Sequence, residues 1–467
     1  MDRKTAVCGG RYHNSPFFRG IAARMIADNS RRPWARYGEI IGCVVVGSLG
    51  LLLLDALTFL YAVYYSDDIN VLYPVAVHSL AGNIGSPGRP PGNPVRPLEY
   101  LIVLAANNLY LPLWLAASLV FLVGATILSA LACERLFDRQ LTKAGWWVLG
   151  VANPLLFYVC SQPDAVSQAL SNLLFGGAIF AFVSGLNRPW EQPVPDGHAD
   201  RIPAFLNLIA AALFFTKETA VAAATLLPAV SAGVMRFKTR QFSRLFLFSL
   251  LLPIAAAAGW ILLKLEFPLM MLSDGGRYGL KLDPLTWSQN LVITLAFPIT
   301  PLPSSFIAFD LLRPLWILVA VGSVIVFMGV LIHASLDRPK IILPLLVVAA
   351  SCAPMILVYS SELYSSMIAP FVVSILILFG VSKAPRLTLA YGLLLYSASL
   401  TNSIVYCLGS DFNIFGLRHL PYSIYGEGYQ FYPICPIGTT AHVGWDETAT
   451  SDVLYHSGVK GRISCTQ

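Results

Sequence analysis

Charge is what this sequence has least of. Only 12% of its 467 residues are Asp, Glu, Lys or Arg, where a soluble globular chain carries roughly 25%. So little charge leaves little surface that has to face water, and this excludes an ordinary soluble enzyme. Paired cysteines are missing as well. Eight cysteines occur without a Cys-x-x-Cys pair, which excludes zinc-ribbon and dithiol-redox motifs of that spacing. Cys43, Cys133, Cys160 and Cys352 fall in or beside apolar runs, where a thiol behaves as a small apolar group. Cys407, Cys435 and Cys465 lie at or beyond the last apolar run; an oxidising compartment would permit one disulfide among them without choosing which. No internal repeat is visible.

What the chain has is apolar length. It is 56% hydrophobic, with a mean hydropathy of +0.66, and several runs exceed the roughly 18 residues needed to cross a bilayer. Loops between them are short, so the pattern predicts one all-α polytopic bundle of about eleven transmembrane helices. The expected spans are 39–64, 111–132, 145–161, 168–186, 203–216, 218–235, 245–265, 312–334, 341–359, 364–381 and 387–407. Residues 98–110 carry Asn107 and Asn108 and are expected to lie in the interface. Residues 286–310 are interrupted by Pro298, Pro301 and Pro303 and are expected to be re-entrant or interfacial.

The net charge of +6 does not point to nucleic acid, because the basic residues sit in short loops where they set topology. Eight fall in the first 37 residues, from Arg3 to Arg36. That segment is too long and polar for a cleaved signal peptide and reads as a cytoplasmic tail, 1–38, resting on anionic lipid. Arg135, Arg139 and Lys143 mark the next inside loop, followed by Arg188 and Arg201, then Arg236 to Arg244, Arg338 and Lys340, and Lys383 and Arg386. The expected topology is N-terminus inside and C-terminus outside. A module over 39–235 has a first external loop at 65–97. A second module over 236–407 has an external loop at 267–311, and an external tail occupies 408–467.

Ionisable residues near membrane segments are the best functional signal in such a chain. Asp67 and Asp68 stand together just outside the first span. Adjacent carboxylates repel, which suits a shared cation, a split in pKa or a proton acceptor for a hydroxyl; a solvated loop end is the structural alternative. Lys217 and Glu218, in Thr216-Lys217-Glu218-Thr219, occupy a tight external turn. A cation there suits a phosphate, and an ion pair fixing the hairpin is the alternative. Asp164 follows Gln162-Pro163 and reads first as a helix start. Asp274 and Arg277 lie in a glycine-rich external loop, and Glu362 and Tyr364 in another polar turn. Asp55, inside the first span, should face the bundle interior as a bracing hydrogen-bond group. Apart from Asp55, all these positions map to one external face, where a lipid-linked substrate would present its headgroup.

Taken in order, these motifs resemble the GT-C superfamily of integral-membrane glycosyltransferases, in its bacterial branch related to protein mannosyltransferases and lipopolysaccharide-core transferases. Asp67 and Asp68 match the acidic pair after the first span, and Arg96-Pro97-Leu98 looks similar to the basic-Pro element before the second. Asn153-Pro154 and Thr216-Lys217-Glu218 match two later elements, so the resemblance covers about 40–235. Ile69 and Asn70 depart from the aromatic residue that often follows the acidic pair, and Glu362-Leu363-Tyr364 from the Arg or His of the later turn. The resemblance implies a polyprenyl-phosphate sugar as donor, a glycan, lipid or protein hydroxyl as acceptor, and the bacterial inner membrane as location. It implies Asp67 or Asp68 as general base. Lys217, Glu218, Arg277, Asp164, Arg96, Glu362 and Tyr364 would surround the donor phosphate and substrate. No resident cofactor is implied; Mg or Mn is used by some relatives and not by others. The competing classes are an O-antigen polymerase or ligase, expected to lean on larger Arg- and His-rich external loops, and a lipid-sugar transporter. A transporter would gather its charges near the midplane of repeated halves.

Overall fold

The computed structural model describes residues 33–59, 63–65, 111–153, 165–186, 201–239, 244–266, 283–358, 360, 362–381, 384–411 and 431–433. They form two units, residues 1–42 and 43–467. In the first, the described residues are the opening turns of a helix, α1 (Pro33–Phe59), largely exposed. The second unit contains the rest of α1 and, in order, α2 (Leu111–Phe137), α3 (Lys143–Val151), α4 (Ala165–Leu186), α5 (Arg201–Leu213), α6 (Val221–Thr239) and α7 (Arg244–Glu266). It continues with α8 (Pro284–Ile299), α9 (Arg313–Asp337), α10 (Ile342–Ser351), α11 (Ala353–Leu357), α12 (Glu362–Ser365), α13 (Ala369–Leu376) and α14 (Pro385–Asp411). One short antiparallel pair, β1 (Val63–Tyr65) with β2 (Phe431–Pro433), aligns Tyr64 with Tyr432.

Among the described residues, four helical segments are long and apolar enough to cross a membrane: Ala117–Phe137, Val166–Leu186, Arg244–Leu262 and Arg313–Asp337. The last two, in α7 and α9, carry apolar side chains outward. Leu318, Leu336 and Phe248 are more than 70% exposed, as is Leu311 just before α9, while Thr126, Ser351 and Ser374 are buried. A protein surrounded by water does not present such continuous apolar faces; one surrounded by lipid does. The buried hydroxyls are satisfied within their own helices, Thr126 donating to Leu122 O at 2.9 Å and Ser374 to Pro370 O at 2.6 Å, so the apolar interior meets no unpaired group at these positions.

Helix α4 is central. It packs along α2 on one side and α5 on the other, and α5 in turn packs on α7 and α6. Small residues permit the close approach. A Cβ added at Gly176 would meet Ser129 Oγ at 2.9 Å and Ala125 O at 3.0 Å, the small-residue contact through which membrane helices gain dispersion energy. Helix α13 docks on α2, α8 lies against α9 and α11–α13, and α14 packs on α3.

Some expected spans are broken. The 341–359 run is interrupted at Cys352, between α10 and α11, and the 364–381 run comprises α12, α13 and a π-turn, Ile377–Val381. The stretch 286–310 opens inside α8, the helix that Asp283 precedes. Its carboxylate caps the helix by accepting from Leu285 N at 3.2 Å and Thr286 N at 3.0 Å, with Pro284 in the first turn. At 16 residues α8 is about 24 Å long, short of the roughly 30 Å hydrocarbon core. Pro301 and Pro303 then prevent continuation, and a 3₁₀ turn, Ser304–Ala308, leads to α9. Helix α1 starts at Pro33 rather than 39, taking in residues assigned to the tail.

Candidate functional site

The first two turns of α4 are unusual for an apolar helix. Ser167, Gln168, Ser171 and Asn172 are all buried. Gln168 Nε2 donates to Asn172 Oδ1 at 2.8 Å, one turn on, and Asn172 Nδ2 donates to Ser366 Oγ at 2.8 Å. Ser366 directly follows α12, so this chain of uncharged groups ties α4 to the turn that carries Tyr364. Gln168 Oε1 and Ser171 Oγ are buried with no hydrogen-bond partner among the described residues.

Lys217 reaches the same turn from another direction. Helix α5 ends at Leu213, where the Thr216 hydroxyl donates to Leu213 O at 2.9 Å. A 3₁₀ turn, Glu218–Ala220, follows, closed by Ala220 N donating to Lys217 O at 3.0 Å. Lys217 is thereby fixed where α5 stops and α6 starts, with its side chain drawn inward to 2% exposure. Its ammonium lies 5.8 Å from the centre of the Tyr364 ring, within cation–π range. Two residues singled out in separate modules are thus neighbours. Thr219 Oγ1, two positions on, is buried without a hydrogen-bond partner among the described residues.

At the far end of α4 the chemistry changes. Arg135 donates to the Ser184 hydroxyl and stacks 4.0 Å from the centre of the Phe180 ring. Arg139 donates to Leu378 O at 3.2 Å and stacks 4.2 Å from the Phe379 ring. Arg338 lies 4.0 Å from Asp138, an exposed pair of small energetic weight. From Gln168 to Ser184 α4 rises about 24 Å. The basic groups and the Lys217–Tyr364 contact therefore occupy opposite ends of this helix.

Of the other candidates, Glu218 is in the 3₁₀ turn and Glu362 opens α12. Asp67, Asp68, Arg96, Asp164, Asp274 and Arg277 lie outside the described residues. Helix α4 begins directly after Asp164 in sequence. Asp55 belongs to α1. Among the described residues no group of three or more His, Cys, Asp or Glu is placed to hold a metal ion. Gln168, Asn172 and Ser366 were not among the sequence candidates. The signal was available: Ser167, Gln168, Ser171 and Asn172 at i, i+1, i+4 and i+5 form a polar patch on one face of an apolar run.

A buried ammonium lying over an aromatic ring is suited to an anionic group. The local dielectric strengthens that attraction well beyond its value in water. Comparison with protein-family models, curated proteins and solved structures finds no match to this chain, so function is argued from these residues.

Proposed function

We propose that the chain is a membrane glycosyltransferase of the GT-C type, moving a sugar from a polyprenyl-phosphate donor to an acceptor hydroxyl. One observation carries the reading: Lys217, buried beside Tyr364 of the turn that Asn172 and Ser366 tie to α4, is suited to a phosphate. In the proposed reaction Asp67 or Asp68 takes the proton of the acceptor hydroxyl. That oxygen bonds to the anomeric carbon as the bond from carbon to phosphate oxygen breaks, and polyprenyl phosphate leaves with the electron pair. A single displacement inverts the anomeric centre. Lys217, with Arg277, stabilises the charge gathering on the leaving phosphate. No step is assigned to a metal ion.

The proposal includes about eleven membrane crossings, the N-terminus inside and the C-terminus outside, in a bacterial inner membrane. Support comes from the separation along α4: Arg135 and Arg139 gather at the end that the positive-inside rule assigns to the cytoplasm, and Lys217 and Tyr364 belong to the other. The acceptor would then enter from the external side.

The test uses purified Asp67→Asn and Asp68→Asn variants beside the wild type, assayed for consumption of radiolabelled polyprenyl-phosphate sugars with a membrane extract as acceptor source. Loss of transfer by about a hundredfold or more in one folded variant identifies the base. Wild-type transfer matched by both variants removes the acidic pair from the mechanism. A wild type that consumes none of a broad donor panel, yet moves lipid-linked sugar between leaflets of a vesicle, overturns the transferase reading in favour of transport.

A further inference from the structure

Where α8 stops, the chain turns at Pro301 and Pro303, and these turns, the start of α9 and the middle of α14 surround a small, partly open cavity of about 30 Å³, space for about two water-sized groups. Its polar lining is Thr300, Ser304, Trp316, Ser399 and Asn402, with Phe297 beside them. Two of these are already engaged: Asn402 Oδ1 accepts from Ser305 N at 3.0 Å, and the Ser399 hydroxyl donates to Val151 O at 3.3 Å. Three are not. Thr300 Oγ1, Ser304 Oγ and Trp316 Nε1 are buried and have no hydrogen-bond partner among the described residues. Buried polar atoms are nearly always paired, and three orphans around one cavity mark a place built for something that pairs with them.

The lining selects the chemistry of that ligand. None of the lining residues is charged, so a carboxylate or phosphate would lose its hydration without a counter-charge. A cation would face the indole N–H, which can only donate. What fits is a group that accepts from Trp316 and both donates to and accepts from the hydroxyls of Thr300 and Ser304, which is an alcohol. The wall is aromatic, the Phe297 and Trp316 rings standing 5.5 Å apart between centroids at 46°, a surface suited to the C–H face of a sugar ring. Convergent polar atoms beside aromatic rings are a common make-up of a small-molecule site. We infer that this cavity binds the hydroxymethyl edge of a neutral hexose, with the sugar ring at its open side.

The inference goes beyond the glycosyl-transfer reading and stands on different residues. Helix α8 links the two places: Thr300 ends it, while upstream Asn290 donates to Ile356 O at 2.9 Å and Thr294 shares a 2.6 Å hydrogen bond with Ser360, shortly before α12.

The experiment measures binding, not turnover. The full chain in detergent is titrated with methyl α-glucopyranoside and methyl α-mannopyranoside by saturation-transfer NMR and calorimetry, and with methyl xylopyranoside, which lacks the hydroxymethyl group. A hexoside should bind saturably in the millimolar range and the xyloside about tenfold more weakly, the worth of one hydrogen-bonded hydroxyl. Trp316→Phe keeps a ring and removes the N–H, and Thr300→Val keeps the shape and removes the hydroxyl; each should weaken hexoside binding about tenfold. Gly329→Ala, in α9 with open space around it, should bind as wild type. Should Trp316→Phe not fold, Ser304→Ala takes its place. The inference is overturned if neither hexoside binds saturably, which would leave the cavity to water, or if the folded cavity variants bind as well as wild type. A wild-type chain that binds neither hexoside yet still consumes lipid-linked donor would refute this site and leave the transferase reading standing.

Discussion

Replacing Gly150 by alanine should separate two helices that meet backbone to backbone. An added Cβ at Gly150 in α3 would lie 2.3 Å from Val44 O of α1, and one at Gly47 in α1 would lie 2.5 Å from Trp147 O of α3. Ordinary contact begins near 3.4 Å, so α1 and α3 would have to part by about 1 Å. That movement would also stretch the 2.7 Å hydrogen bond from the Ser48 hydroxyl to Gly150 O. Overpacking of this kind costs about 1–3 kcal/mol and a lost hydrogen bond about 1 kcal/mol, so Gly150→Ala should destabilise by about 2–4 kcal/mol. The same substitution at Gly329, where a Cβ meets nothing within 4 Å, should stabilise by about 0.5–1 kcal/mol through helix propensity alone. Thermal unfolding of both variants in one detergent, followed by intrinsic fluorescence, reads the opposite signs directly. The packing argument is refuted if Gly150→Ala unfolds at or above the wild-type temperature, or if the two variants shift together. Because α1 precedes Asp67 and Asp68 in sequence, Gly150→Ala should also lower transfer more than its loss of folded protein accounts for.

Two further outcomes follow from single side chains. Lys217→Met should lower glycosyl transfer by about a hundredfold or more, on the scale of removing one electrostatic contact to a developing oxyanion, with Lys217→Arg restoring part of it; a folded Lys217→Met variant of undiminished activity would take Lys217 out of the reaction. Asp283 accepts from Thr286 N, the Thr286 hydroxyl and Leu285 N, which holds its carboxyl below its usual range, near 3.9 for a free aspartate. Its contribution to α8 is therefore fully present above that usual value and is lost as the pH falls through the lower folded value. Amide exchange at Leu285 and Thr286 should be faster in Asp283→Ala than in wild type at neutral pH and indistinguishable in strong acid; a difference that persists there contradicts the capping argument.

The long helices were legible because length and hydropathy are local properties. Leu111–Phe137, Ala165–Leu186, Arg244–Glu266 and Arg313–Asp337 lie within a few residues of runs visible in the sequence. The breaks were not. A hydropathy window reads 341–359 as one continuous apolar run, but chain continuity depends on which carbonyl each N–H finds, and near Cys352 the bonding shortens, Cys352 N reaching Ala349 O at 3.0 Å. The start of α8 is carried by a local signal, Asp283-Pro284, a cap followed by a first-turn proline, while Pro298, Pro301 and Pro303 give the rest of the stretch an irregular pattern.

For the candidate site the limit is of another kind. A search for chemistry in a membrane chain looks for charge, since each charge is costly there and so informative. That search found Lys217 and Tyr364 and could not pair them, because they are brought together by the packing of α12 against α4 and of α11 against the turn after Lys217, which no local pattern encodes. Gln168 and Asn172 carry no charge and give no such signal. Yet in an apolar surrounding an uncharged amide also needs a partner, and a buried ammonium needs neighbours that can orient around it. The neutral patch at the start of α4 fixes the turn that carries Tyr364, and the Tyr364 ring in turn faces the Lys217 ammonium. A helix-periodic cluster of amides and hydroxyls in an otherwise apolar run is as much a functional signal as a lone charge, and in this chain both lead to the turn of Tyr364.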